Sequence, residues 1–219
     1  MKKLTVPFAV ALTYQSPLED ISAYLDGLEA NRIDQEPWPL PGNKPNVVFR
    51  IAHSGDCVFI KYQVEEDHIR ARYRKANEPV YEDSCVEFFI SLTKNAEYYN
   101  FEFNSIGTCL MSFGEKRQSR ESATAAVSDL IRRNVSITAD THTRARWQIT
   151  MAIPVSAFFR SNLASVDGLA CSANFYKCGD KLPFPHYFAW NNINMPQPDF
   201  HQPSWFGETL FAASPNVHK

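Results

Sequence analysis

Residues 80–89 read VYEDSCVEFF, apolar enough for a strand yet carrying Asp83 and Glu87 among residues suited to a core. Side chains alternate across an extended chain, which predicts Tyr81, Asp83, Cys85 and Glu87 on one face and Val80, Val86, Phe88 and Ile90 on the other. One face can pack, while the other places two acids beside a tyrosine. The pattern recurs in EYYNFEFN, residues 97–104, where Tyr99, Phe101 and Phe103 oppose Tyr98, Asn100, Glu102 and Asn104. Paired as a hairpin across TKNAE, residues 93–97, the two strands would share one polar face holding Tyr81, Asp83, Glu87, Tyr98, Asn100, Glu102 and Asn104.

The same period of two runs outward along the chain. Val47, Phe49 and Ile51 alternate with Val48, Arg50 and Ala52, and Val58, Ile60, Tyr62 and Val64 alternate with Phe59, Lys61, Gln63 and Glu65, the two runs being joined by a turn at HSGD, residues 53–56. Further strands are expected near residues 80–92, 98–104, 107–113, 135–139, 144–153, 169–177 and 187–190. The N-terminal MKKLTVPFAVALTYQS supplies a first strand, and SPLEDISAYLDGLEANRI a helix with Ser16 as N-cap, Pro17 at its first position and Ile21, Leu25 and Leu28 on one face. EKRQSRESATAAVSDLIRR, residues 115–133, reads as a polar insertion with a short helix near residues 125–130. Many short antiparallel strands with few helices predict an all-β, two-layer antiparallel β-sandwich of the immunoglobulin or jelly-roll kind. One domain over residues 1–219 is expected, with Phe88, Ile90, Phe101, Phe103, Trp147 and Ile149 in one core.

Composition narrows the function. The net charge is -2, from 22 basic and 24 acidic residues with no basic run, which argues against nucleic acid as a partner. No apolar run approaches the length of a membrane span, and an apolar region ending at Ala11 is too short for a secretory signal, so no membrane partner is expected and the cytoplasm is slightly favoured. The cysteines at 57, 85, 109, 171 and 178 lack zinc-ligand spacing and read as buried thiols, although Cys171 and Cys178 could bridge.

The polar face combines amides, carboxylates and aromatic rings. Amides and carboxylates can each bind adjacent sugar hydroxyls, and an aromatic ring packs on the C–H face of a pyranose. A sheet face of this kind is also often simply hydrated, and that plainer reading competes on pattern alone. Arg146, Gln148 and Thr150 form a second polar row, and Asn174 with Tyr176 a third. Trp147, alternating with Ile149, reads as core, Trp190 as either platform or packing, Trp205 and His201 as fixing the terminal segment, and Trp38 as a loop anchor.

At VYEDSCVEFF, YYNFEFNSIG, NFYKCGD and PDFHQPSWFGETLF the chain resembles the family-nine carbohydrate-binding modules, in particular the stand-alone family-nine-like bacterial proteins of the DOMON-like sandwich superfamily, from about Val6 to Phe211. The resemblance implies two packed antiparallel sheets and non-catalytic binding of a saccharide, with glycan chain ends gripped between two aromatic rings. A tryptophan, aspartate and glutamate in the family's strand correspond to Tyr81, Asp83 and Glu87, which makes Tyr81 a stacking platform and Glu87 a hydroxyl acceptor. Trp190 then corresponds to the second platform, Asn191 or Asn192 to amide contacts and Arg117 to the family's arginine. Tyrosine here replaces the family's first tryptophan. No cofactor is implied; some members bind structural calcium, but no ligand set matches.

Three other functions are consistent with the residues. Glu87 and Glu102, if directly opposed, would have a spacing near that of a retaining glycoside hydrolase. DOMON relatives include haem proteins with methionine and histidine ligands, but here Met151 falls on the core face, Met111 has no evident histidine partner and there is no C-x-x-C-H. A protein-interaction module is the third.

Overall fold

The computed structural model describes residues 1–93, 97–138 and 144–215. Among these, two sheets stack face to face. The first runs β1 (Lys3–Val6), β13 (Gly207–Phe211), β11 (Ala170–Cys178), β5 (Cys85–Ser91), β6 (Tyr98–Asn104), β7 (Cys109–Gly114) and β8 (Glu121–Ser122), with β12 (Tyr187–Ala189) also paired to β11. The second runs β2 (Asn31–Arg32), β3 (Asn46–His53), β4 (Cys57–Glu66), β10 (Ala145–Pro154) and β9 (Arg132–Thr138). Among the named strands, all pairings are antiparallel except β1 with β13. Gly55, at φ +85°, makes the β3–β4 turn in a left-handed conformation that side chains disfavour.

The expected alternation builds the core. Val86, Phe88, Ile90, Phe101, Phe103 and Phe175 face Phe49, Ile51, Ile60, Tyr62, Trp147 and Ile149 across the sandwich, all of them buried. Phe175 stacks on Phe49 at 3.7 Å between ring centroids and on Phe88 at 5.1 Å. Helix α1 (Leu18–Asp26) covers part of the second sheet's outer side, with Ile21 and Leu25 against Ala52, Phe59 and Ala152. Among the described residues no helix is long and apolar enough to cross a membrane.

Several expectations need correction. Residues 80–82 form a 3-10 turn rather than the start of a strand. Pro79 precedes it and its carbonyl accepts from the Glu82 N–H, while the Asp83 N–H donates to the Val80 carbonyl, so these groups are used in a turn and not in a ladder. Ser16 does not cap α1: its hydroxyl accepts from the Thr13 N–H at 3.0 Å, and Pro17 occupies the cap position. The insertion contains helix α2 (Ala125–Asp129) as expected, and also the short strand β8. Cys171 and Cys178 do not bridge, because an odd separation along β11 sends one into the inter-sheet core and the other to the outer face. Residues 94–96 of the expected TKNAE turn, and Ala139 at the end of an expected strand, lie outside the described residues.

Candidate carbohydrate-binding site

On the outer face of the first sheet, two cross-strand rows form the floor of a cleft of about 360 Å³. In one row Glu87 on β5 stands directly opposite Glu102 on β6, which in turn opposes Leu110 on β7. In the other, Asn100, Ser112 and Ser122 line up across β6, β7 and β8. The walls are loops. The 80–82 turn brings Tyr81, the end of β11 brings Cys178 and Asp180, β12 brings Tyr187, residues 115–120 bring Arg117 and Arg120, and the terminal segment brings Pro198 to His201. The Asp180 N–H donates to the Tyr81 carbonyl at 3.1 Å, which ties two of these walls together.

Asn100 is held in one orientation: Arg120 Nε donates to its Oδ1 at 3.0 Å, and its Nδ2 donates to Glu102 Oε1 at 2.8 Å. The Arg120 guanidinium also donates to the carbonyls of Tyr98, Gly114 and Lys116 and lies 4.1 Å from the Tyr98 ring centre. Its charge is thus committed to the wall. Glu102 Oε2 is buried without a hydrogen-bond partner among the described residues. An orphaned buried carboxylate oxygen beside a cleft is an acceptor awaiting a donor. Burial pushes the Glu102 carboxyl up to about 7, and burial, then the neighbouring Glu102, pushes Glu87 well above the usual carboxylate range. Burial likewise raises Asp180 to about 6. Among the described residues none of these three acids forms a salt bridge.

Of the residues singled out in the sequence, the structure brings Tyr81, Glu87, Asn100, Glu102 and Arg117 together at this cleft. Tyr81 is 36% exposed. Others are placed elsewhere. Asp83 is fully buried and structural: it pairs with Arg70 and accepts from the backbone N–H groups of Arg72 and Tyr73 at 2.9 and 3.0 Å and from Asn104 Nδ2 at 3.0 Å. Tyr98 is buried beneath Arg120, with its hydroxyl 2.8 Å from His201 Nδ1. Trp190 belongs to the inter-sheet core, edge-on to Phe49 and Phe175, over Gly207, where an added Cβ would come within 2.3 Å of its ring. Asn192 is exposed but not among the cleft's lining residues, while Asn191 is buried and binds the Lys2 N–H and the Trp205 carbonyl. Met111 and Met151, the methionines of the haem reading, are fully enclosed in the inter-sheet core.

Asp180, Tyr187, Arg120 and the 198–201 segment were not expected at the site. Arg120 sits in a charge-dense loop with no periodicity to orient it, and Tyr187 reaches the cleft because β12 folds back on β11. The motif PDFHQPSWFGETLF contained the only signal for the terminal segment. It both fixes that segment, through Trp205, and supplies Asp199, Phe200 and His201 to the rim.

Residues 20–211 match the family model for carbohydrate-binding family 9. A Bacteroides uniformis protein provisionally assigned as carbohydrate-binding has a crystal structure that superposes with a TM-score of 0.87 and 37% identity, covering 96% of this chain and 99% of its own. Two structures of a family 9 module from Caldicellulosiruptor kristjanssonii, in complex with glucose and with cellotriose, share the fold at TM-scores of 0.63 and 0.64 with 12% identity, each covering all of this chain and 100% and 97% of their own. No curated protein matches the sequence. With a family match over most of its length and a 37% identical relative along nearly all of it, this chain belongs to carbohydrate-binding family 9.

Proposed function

We propose that the cleft over β5, β6 and β7 binds the terminal sugar of a saccharide without cleaving it, and that residues 1–219 act as one binding domain. The observation that carries this reading is the unpartnered, buried Glu102 Oε2 beside Glu87 and the pre-oriented Asn100 amide, on the floor of a cleft with tyrosines at its rim. Sugar hydroxyls donate to Glu87 and Glu102 and accept from Asn100, while Tyr81 and Tyr187 cover the apolar face of the ring. Tyr187 takes the place that the sequence had given to Trp190. Loops on several sides favour a chain end over the middle of an extended polymer.

Binding is favoured over hydrolysis by the state of the two acids. A retaining glycosidase needs an ionised nucleophile and a protonated acid, their carboxyls pushed apart by different surroundings. Here burial raises both, and Glu102 Oε1 is already committed to Asn100. The test is a glycan-array screen followed by calorimetry with glucose and cellotriose, alongside a chromogenic glycoside. Saturable binding without released chromophore is expected. Absence of binding to any glycan, or turnover lost in Glu87→Gln, would overturn the reading.

A further inference from the structure

Cys85 and Cys178, 93 residues apart in sequence, face each other across the β5–β11 pairing, and Glu87 follows two residues after Cys85 on the same face. The two sulfurs and a Glu87 carboxylate oxygen lie within 4.8 Å of one another, and Cys178 Sγ donates to Glu87 Oε1 at 3.0 Å. All three residues are buried, and Cys178 and Glu87 also line the cleft, so the cluster borders it on one side. The orphaned Glu102 Oε2 belongs to the residue directly opposite Glu87. We propose that Cys85, Cys178 and Glu87 form a site for a thiophilic divalent cation such as Zn²⁺, with its fourth position facing the sugar cleft.

Two thiolates and a carboxylate are a typical donor set for zinc, and three protein ligands with one open position is the arrangement of an accessible site. With zinc–sulfur bonds of about 2.3 Å, tetrahedral ligand atoms sit about 3.8 Å apart, so the cluster need close by only about 1 Å. On binding, each thiol gives its proton to solvent, as does Glu87 where it is protonated, and the cation replaces them. Because Glu87 also serves the sugar in the function proposed above, the metal and the saccharide would compete; cation binding itself does not depend on that function.

The test is a Cd²⁺ titration of the intact protein, followed by ultraviolet thiolate-to-cadmium charge transfer, with Zn²⁺ then added to displace the probe. Expected are a one-to-one endpoint, loss of the band in Cys85→Ala and Cys178→Ala, weaker cadmium affinity in the shape-conserving Glu87→Gln, and retention of the band in Cys109→Ser, which lies in the inter-sheet core. Zn²⁺ should weaken sugar binding by about fivefold, the loss of one hydrogen bond to Glu87. A wild-type protein without the band, or a band unchanged in both cysteine variants, would overturn the site even if sugar binding is intact. A band without any effect of Zn²⁺ on sugar affinity would overturn the competition alone.

Discussion

Tyr81→Ala tests the platform directly. Tyr81 stands on the 80–82 turn at the rim of the cleft and is 36% exposed. A tyrosine presents about 200 Å² in all, so a sugar covering what remains accessible would remove about 70 Å² from water. At about 25 cal/mol per Å² this is about 1.8 kcal/mol, or about a 20-fold loss of affinity, and it is an upper limit because a pyranose need not cover the whole ring. The turn does not depend on the ring, since its hydrogen bonds run through the backbone at Pro79, Val80, Glu82 and Asp83. The melting temperature should therefore stay within a degree or two of wild type, on the order of a surface substitution. Titration calorimetry with the best glycan hit reads the affinity, and thermal denaturation reads the fold. An affinity within twofold of wild type in a folded variant would mean that no sugar ring rests on Tyr81, and the platform would have to be sought at Tyr187.

Glu102→Gln should flatten the pH dependence of stability. A carboxyl raised to about 7 when folded and near 4.5 when unfolded stabilises the fold fully below about pH 4.5 and loses that contribution as pH rises towards 7, so the wild-type melting temperature should fall faster than the variant's across this window. Asp83→Asn should destabilise by about 3 kcal/mol in urea denaturation, because the amide cannot accept all the hydrogen bonds now given by Arg70, Arg72, Tyr73 and Asn104; an unchanged midpoint would refute its structural role. Gly207→Ala should cost about 1–3 kcal/mol by driving a Cβ into the Trp190 ring, as read by the same denaturation. Stability equal to wild type there would contradict the placement of Trp190 in the core.

What the sequence determined by itself was everything that depends on periodicity. The alternation at residues 47–64, 85–91 and 98–104 set the sandwich, the core residues Phe88, Phe101 and Trp147 and the outward facing of Glu87, Asn100 and Glu102, because in a strand the backbone alone sends successive side chains to opposite faces. The tertiary structure decided which outward residues share a cleft. Asp83 looked like a partner of Glu87, but Pro79 and the 80–82 turn end the alternation before it applies, and the acid turns inward to Arg70. Trp190 looked like a platform because a tryptophan near a strand end can face either way; the absence of a side chain at Gly207 opens a space for it inside. Arg120, Tyr187 and Asp180 arrive on loops whose course follows from packing with distant segments, and Cys85 meets Cys178 only through the register of β5 against β11. Such juxtapositions are long-range contacts, set by how strands pair and not by the order of residues within any one of them.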